Sequence, residues 1–244
     1  MEFEIIILIA GAFLAAFAVG AVGFADALIA GAFWLHILDP VDAVPLILAT
    51  GFIMHAIGIW SVREGVRPVR LKPLIIGGAF GVPLGAWMLT VADPLVFKIC
   101  IGAIMVIYAV VFLSIGVSER LLPQTKTFAS ALGLTGGVMG GLSGLAGMPI
   151  NIWSRHLGID KVQQRGIYQP YNLAMHGMTL GWLASWGVLN ARLFDDFLIC
   201  IVPVLIGSWL GLKVFGRLNE NLFRRVVLSL FLVSGISLVT AGVV

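Results

Sequence analysis

The chain has 244 residues, 60% of them hydrophobic and only 11% charged, with a mean hydropathy of +1.06. That balance excludes an ordinary soluble domain and makes the lipid bilayer the expected surroundings. The net charge of +3 does not point to nucleic acid, because the basic residues fall in short loops between apolar stretches, where they act as topology signals.

The first apolar segment, 4–37, opens beside Glu2 and Glu4 rather than behind a positive stretch, so it reads as part of the mature fold and not as a signal peptide. It is interrupted at Gly20-Ala-Val-Gly23, and its second part, 26–37, is ~18 Å of helix, short for a crossing. Three spans follow at about 42–62, 73–91 and 96–116, each near the ~20 residues that a crossing needs. A second broken segment, 127–156, carries glycines from Gly136 to Gly147, and spans at about 166–187, 197–213 and 222–243 complete the chain. Cys100 and Cys200 lie in predicted helices without metal-ligand spacing and read as packing residues.

These elements occur twice. Met54-His55 leads on to Trp60, and 121 positions later Met175-His176 leads on to Trp182. Gly85-Ala-Trp-Met88 recurs as Gly207-Ser-Trp-Leu210, Phe97-Lys98 as Phe223-Arg224, and His36 before Asp39 as His156 before Asp160. Two related halves in a bilayer are the usual build of a secondary transporter, with the substrate site where the halves meet. The expected organisation is one membrane domain, 1–244, with a first repeat at 1–118 and a second at 126–244.

Charge decides between two topologies. If 4–37 and 127–156 each cross once, the fifteen Lys and Arg divide seven inside to eight outside. If each is a hairpin with both ends on one face, the division is thirteen to two, with only Lys98 and Arg192 outside. The hairpin arrangement inverts the halves and puts both termini outside. The expected fold is therefore an all-α polytopic membrane protein of two inverted-topology repeats, with six long spans and two broken or re-entrant helical hairpins, eight to ten membrane helices in all.

In such a repeat the hairpin tips, around Gly23–Asp26 and Gly141–Met148, approach each other near the midplane. Each is followed by a short helix, starting near Ala27 and near Pro149. Two helix N-termini with glycine-exposed backbone suit a small anion, although glycine in a membrane helix also serves close packing. The candidate substrate residues at the tips are Gly23, Asp26, Ser143, Gly144, Gly147, Met148 and Asn151.

Gly140-Gly-Leu-Ser-Gly-Leu-Ala-Gly-Met-Pro149, its weaker partner Gly20-Ala-Val-Gly-Phe-Ala-Asp26 and the duplicated layout resemble the sulfite exporter TauE/SafE family of permeases over essentially the whole chain. The first copy departs from the family pattern, with Asp26-Ala-Leu-Ile where a fuller glycine run and a proline are usual. The resemblance implies transport of sulfite, sulfonates and related organosulfur anions across a bacterial inner membrane, and export rather than uptake. The residues themselves support a small anion.

Asp26 at membrane depth reads either as an N-cap for the helix that follows or as the carrier of a coupling proton. His55 and His176 are deep enough to reach the centre, for helix-packing hydrogen bonds, for contact with substrate or proton, or, least favoured, for a metal. Asp26, His55 and His176 are thus the candidates for proton coupling, and no metal or cofactor is expected. Gln169-Pro-Tyr-Asn172 interrupts a span, and Gln169, Tyr171 and Asn172 offer neutral donors either to an oxyanion or to neighbouring helices. Tryptophans near span ends, Trp60 and Trp182 among them, read as interfacial anchors.

No GxxxxGK[ST], HExxH or GxSxG occurs, which argues against direct ATP use and against an intramembrane enzyme. The sequence reading is a secondary permease for small organosulfur anions working by alternating access, with a passive anion channel of the same fold as the alternative. The glycine faces would equally suit a homodimer contact.

Overall fold

The computed structural model describes residues 2–114, 122–215 and 220–241. The described residues form ten α-helices and no strand: α1 Glu2–Val22, α2 Asp26–Trp34, α3 Pro40–Val62, α4 Pro68–Val91, α5 Pro94–Ser114, α6 Lys126–Ser143, α7 Gly147–Arg155, α8 Lys161–Ser185, α9 Ala191–Val214 and α10 Glu220–Ala241. Both broken segments consist of a long helix followed by a nine-residue one. At ~1.5 Å per residue α2 and α7 measure ~14 Å, about half of a ~30 Å hydrocarbon core. Arg120 and Arg217, two of the fifteen basic residues counted above, lie outside the described residues.

Helix starts follow local chemistry. Pro40 and Pro68 occupy first turns, where a missing N–H costs nothing. Asp93, Thr125, Asp160 and Asn190 accept backbone N–H bonds at the starts of α5, α6, α8 and α9. The two short helices have no side-chain cap. Asp26 in particular is the first residue of α2 rather than its cap, a position held by Ala25.

Five helices are long and apolar enough to cross a membrane: α1, α3, α4, α5 and α9. Of the six spans expected, α3, α4, α5 and α9 are among these five; α10 contains only a shorter apolar stretch, 225–240, and α8 is the instructive exception. It runs unbroken through Pro170 for 25 residues, yet it buries Arg165, Gln169, Asn172 and His176, so its polarity is turned inward.

Glycines set the main contacts. A Cβ on Gly81 or Gly85 of α4 would strike the backbone of α6, and one on Gly133, Gly137 or Gly141 of α6 would strike the backbone of α4. Two stripes of small residues four apart therefore interlock, and dispersion forces between touching backbones hold the pair in lipid. Helices α1 and α9 meet in the same way at Gly20, Gly207 and Gly211, and α5 meets α10 at Gly102 and Gly235. The remaining central pair is α3 against α8. Of the second glycine run, Gly137 and Gly141 are thus packing residues, and only its last members reach the centre.

Loop contacts define two faces. Gly65, in the turn after α3, lies against Val162 and Gly166 at the start of α8, which brings the basic loops around Arg63 and Lys161 together. On the opposite face Asn190 donates to Asp42 at 3.0 Å, and Lys98 lies 3.7 Å from Asp39. The hairpin arrangement puts each of these pairs on one face, whereas single crossings would separate Gly65 from Val162 and Asn190 from Asp42.

Candidate functional site

The site begins with two matching backbone breaks. Gly23 turns the chain out of α1 with φ 91°, and Gly144, 121 positions later, turns it out of α6 with φ 77°. Three residues after each glycine comes the first residue of a short helix, Asp26 in one and Gly147 in the other. Ala25 also takes a left-handed conformation, φ 81°, at a cost of roughly 1–2 kcal/mol for a residue with a Cβ. That strained residue immediately precedes Asp26 and helps set where its carboxylate points.

Asp26 Oδ2 lies 3.2 Å from His55 Nε2 and 4.0 Å from His176 Nε2. Asn172 Nδ2 is 3.2 Å from the same His55 nitrogen, and His176 Nε2 is 3.2 Å from the Gly144 carbonyl oxygen. The imidazole rings meet edge to face at 5.4 Å. Both histidines are fully buried and Asp26 is 6% exposed, so solvent does little to screen these contacts. Two proton arrangements compete here. With a proton on His55 Nε2 the carboxylate is satisfied, but the Asn172 amide nitrogen then faces another donor. With the ring hydrogen on Nδ1 instead, the single lone pair of His55 Nε2 can accept from Asn172, and Asp26 then needs a proton of its own to avoid setting a carboxylate against that lone pair.

Two glycines make room for this cluster. A Cβ on Gly51 would lie 2.7 Å from His176 Nδ1 and 2.9 Å from Asp26 Oδ2, and a Cβ on Gly147 would run into the Asn172 amide. Each half thus contributes one histidine, one further polar side chain and one glycine.

A narrow cleft of about 30 Å³ opens onto the cluster. Asp26, Gly144, Gly147, Met148, Asn151 and Asn172 line it, all of them expected from sequence, with His55 and His176 behind Asp26 and Asn172. The other four expected residues lie elsewhere. The Ser143 hydroxyl donates back to Met139 O at 2.9 Å, and Tyr171 donates to Gly133 O at 2.7 Å, joining α8 to α6. Gln169 faces Gly58 and Arg165, and Gly23 lies against Tyr168 and Arg165. His36 bonds Ser234 and His156 bonds Ile152 O, so the outer histidine pair is separate from the centre.

Phe24, Ala25, Ala27, Leu28, Leu145 and Tyr108 complete the lining without having been named as candidates. Phe24 and Leu145 follow the two break glycines, so the 121-residue register alone would have placed them. Nothing in the sequence marks Tyr108.

Asp26, His55 and His176 bring ligand-type atoms within 4.8 Å of one another. A resident metal ordinarily has histidines whose second nitrogen donates to an acceptor. Here Nδ1 of both His55 and His176 is buried with no hydrogen-bond partner among the described residues, so this donor set does not fit one.

No curated protein and no solved structure matches the chain. The family model described as sulfite exporter TauE/SafE matches residues 8–238, nearly its whole length. With ten α-helices among the described residues, five of them long and apolar enough to span a bilayer, and a polar cluster buried at two glycine breaks, the chain belongs to the sulfite exporter TauE/SafE family of membrane permeases.

Proposed function

We propose that this permease carries small organosulfur anions, such as sulfite, thiosulfate or short sulfonates, together with a proton held by the Asp26–His55–His176 cluster. The working unit is a pair of inverted halves, 1–118 and 126–244, that alternate access to the cleft in a bacterial inner membrane with both termini outside. The matched breaks, the shared faces of the loops and the family support this reading, and one observation carries it. A carboxylate, Asp26, stands in the wall of the cleft where an anion would sit.

Two negative charges ~5 Å apart repel by ~3 kcal/mol at an effective dielectric of ~20. An anion therefore binds well only when a proton has neutralised Asp26 or charged a histidine beside it. The amides of Asn151 and Asn172 and the uncapped N–H groups of α2 and α7 then face the anion's oxygens. Binding of anion and proton becomes mutually dependent, which is the requirement for co-transport. A divalent anion with one proton moves one net negative charge. A negative interior thus drives it outward by ~2.3 kcal/mol per 100 mV, which makes export the favoured direction.

The test is sulfite efflux from proteoliposomes under an imposed pH difference or membrane potential. Wild type is expected to export faster with an acidic interior and with a negative interior. Asp26→Asn removes the repulsion and one proton site. It should keep saturable flux, lose the pH-gradient dependence and respond more steeply to voltage, because a divalent anion then carries two charges. Unchanged coupling in Asp26→Asn would rule out the proton role, and flux that never accumulates substrate would identify a channel.

A further inference from the structure

On α8, Arg165, Gln169, Asn172 and His176 are spaced i, i+4, i+7 and i+11 and form one continuous polar stripe. Its upper end is the central cluster. Arg165, at the lower end, lies seven residues or ~10 Å below Asn172, beside the basic loops around Arg63 and Lys161. Gln169 links the two levels. With its amide turned so that donors meet acceptors, it donates to Gly58 O at 3.1 Å and accepts from Arg165 Nη2 at 3.1 Å.

Arg165 is 1% exposed and makes no ion pair among the described residues. Its Nη2 donates to Val19 O at 2.9 Å and Gly20 O at 3.1 Å in the last turn of α1, and its guanidinium lies 4.2 Å above the Phe215 ring. Nε and Nη1 have no hydrogen-bond partner among the described residues. Helix-end carbonyls and an aromatic face lower the cost of this cation but do not cancel its charge. A buried, unpaired guanidinium in a membrane protein is expensive, and such residues mark ion pathways. The residue 121 positions earlier is Val44, so the other half has no such cation.

Resting on the permease reading, we propose that Arg165 is a second anion-binding station, on the basic face below the cleft, which takes up the free oxyanion and passes it along the α8 stripe to the central cluster. The α1 carbonyls hold the guanidinium when no anion is present, and the anion's oxygens take over its N–H groups when one arrives. Gly23 is part of this station rather than of the cleft, since a Cβ there would lie 2.8 Å from Arg165 Nε.

The experiment measures half-saturating sulfite from each face of proteoliposomes of known orientation, for wild type, Arg165→Gln and Arg165→Lys. Arg165→Gln should raise the constant about tenfold from the basic face and leave the opposite face within twofold. Arg165→Lys, which keeps the charge but loses the planar fork, should raise it about threefold on the same face only. Equal changes on both faces, or none, would overturn the station. If Arg165→Gln does not yield folded protein, Arg165→Lys alone decides by the same criterion. A wild type without saturable flux would be a failure of the permease reading. In that case stabilisation of the detergent-purified protein by millimolar sulfite, present in wild type and lost in Arg165→Lys, still supports the station, and its persistence in Arg165→Lys overturns it. Dependence on phosphatidylglycerol content in place of dissolved sulfite would assign the guanidinium to lipid phosphate and also overturn the proposal.

Discussion

The two backbone breaks at the centre are alike in conformation and unlike in chemistry. Gly23 and Gly144 both take positive φ, and both lead within three residues into a nine-residue helix. At the helix start the first break has a carboxylate, Asp26, where the second has Gly147. On the long helix that follows, the relation reverses. The first half has Gly51 where the second has Asn172, again 121 positions apart. In each half a polar side chain fills the space that a glycine leaves open, but the polar group comes from the short helix in one half and from the long helix in the other. A duplicated scaffold has thereby acquired a charged side and a neutral side, and coupling to a proton needs only one of them to be charged.

The most damaging test of this complementarity is Gly51→Ala. The added methyl would lie inside contact distance of His176 and Asp26 at once, and neither is a flexible surface side chain that can swing away. Overpacking of this kind costs about 1–3 kcal/mol, and here it also separates the proton-sharing groups. Uphill sulfite flux should fall at least about a hundredfold, with a melting temperature lowered by several degrees. Gly181→Ala, where nothing lies near the new Cβ, serves as the control and should leave both unchanged.

Much of this architecture was readable because lipid imposes simple rules. Apolar length places α3 and α5 to within two residues and the ends of α4 and α9 to within one, though α4 and α9 start five and six residues earlier than expected; the 121-residue register pairs the central histidines, and an ionisable group at membrane depth points to Asp26. What a glycine does was not readable. Gly137, Gly141, Gly144 and Gly147 are near neighbours in one run, yet the first two meet α4 and the last two meet the cleft, because the helix ends between them. Tyr171 and Asn172 are adjacent in sequence, but one residue of helix turns the side chain ~100°, enough to send Tyr171 to α6 and Asn172 to the centre. Arg165 was misplaced for another reason. Counting basic residues treats each one as a loop charge, and only the packed helices reveal that this one is buried.

Asn172→Ala gives an effect of middle size. It removes an amide from the cleft wall and the partner of His55, while Asp26 and both histidines remain. Losing one hydrogen bond to a charged ligand costs about 1.5–3 kcal/mol. Sulfite affinity in flux assays should weaken by ten- to a hundredfold, with pH-gradient dependence retained because the proton carriers are intact. If affinity and coupling disappear together, the division into a charged and a neutral side is wrong.

The smallest expected effect belongs to the complete exchange, Asp26→Gly, Gly51→Asn, Gly147→Asp and Asn172→Gly. It moves the carboxylate to α7 and the amide to α3, and keeps a glycine opposite each. Steric reasoning demands that all four change together. Gly147→Asp alone would drive its Cβ into the Asn172 amide, whereas paired with Asn172→Gly it occupies space already cleared. If the halves are true structural equivalents, the exchanged protein should fold and recover pH-driven sulfite flux to within about tenfold of wild type, with the single Gly147→Asp inactive. Recovery would mean that either break can host the proton. Folded but uncoupled protein would mean that the charge must lie beside α1 and the Arg165 side of the molecule, and that the asymmetry between the halves is what gives transport its direction.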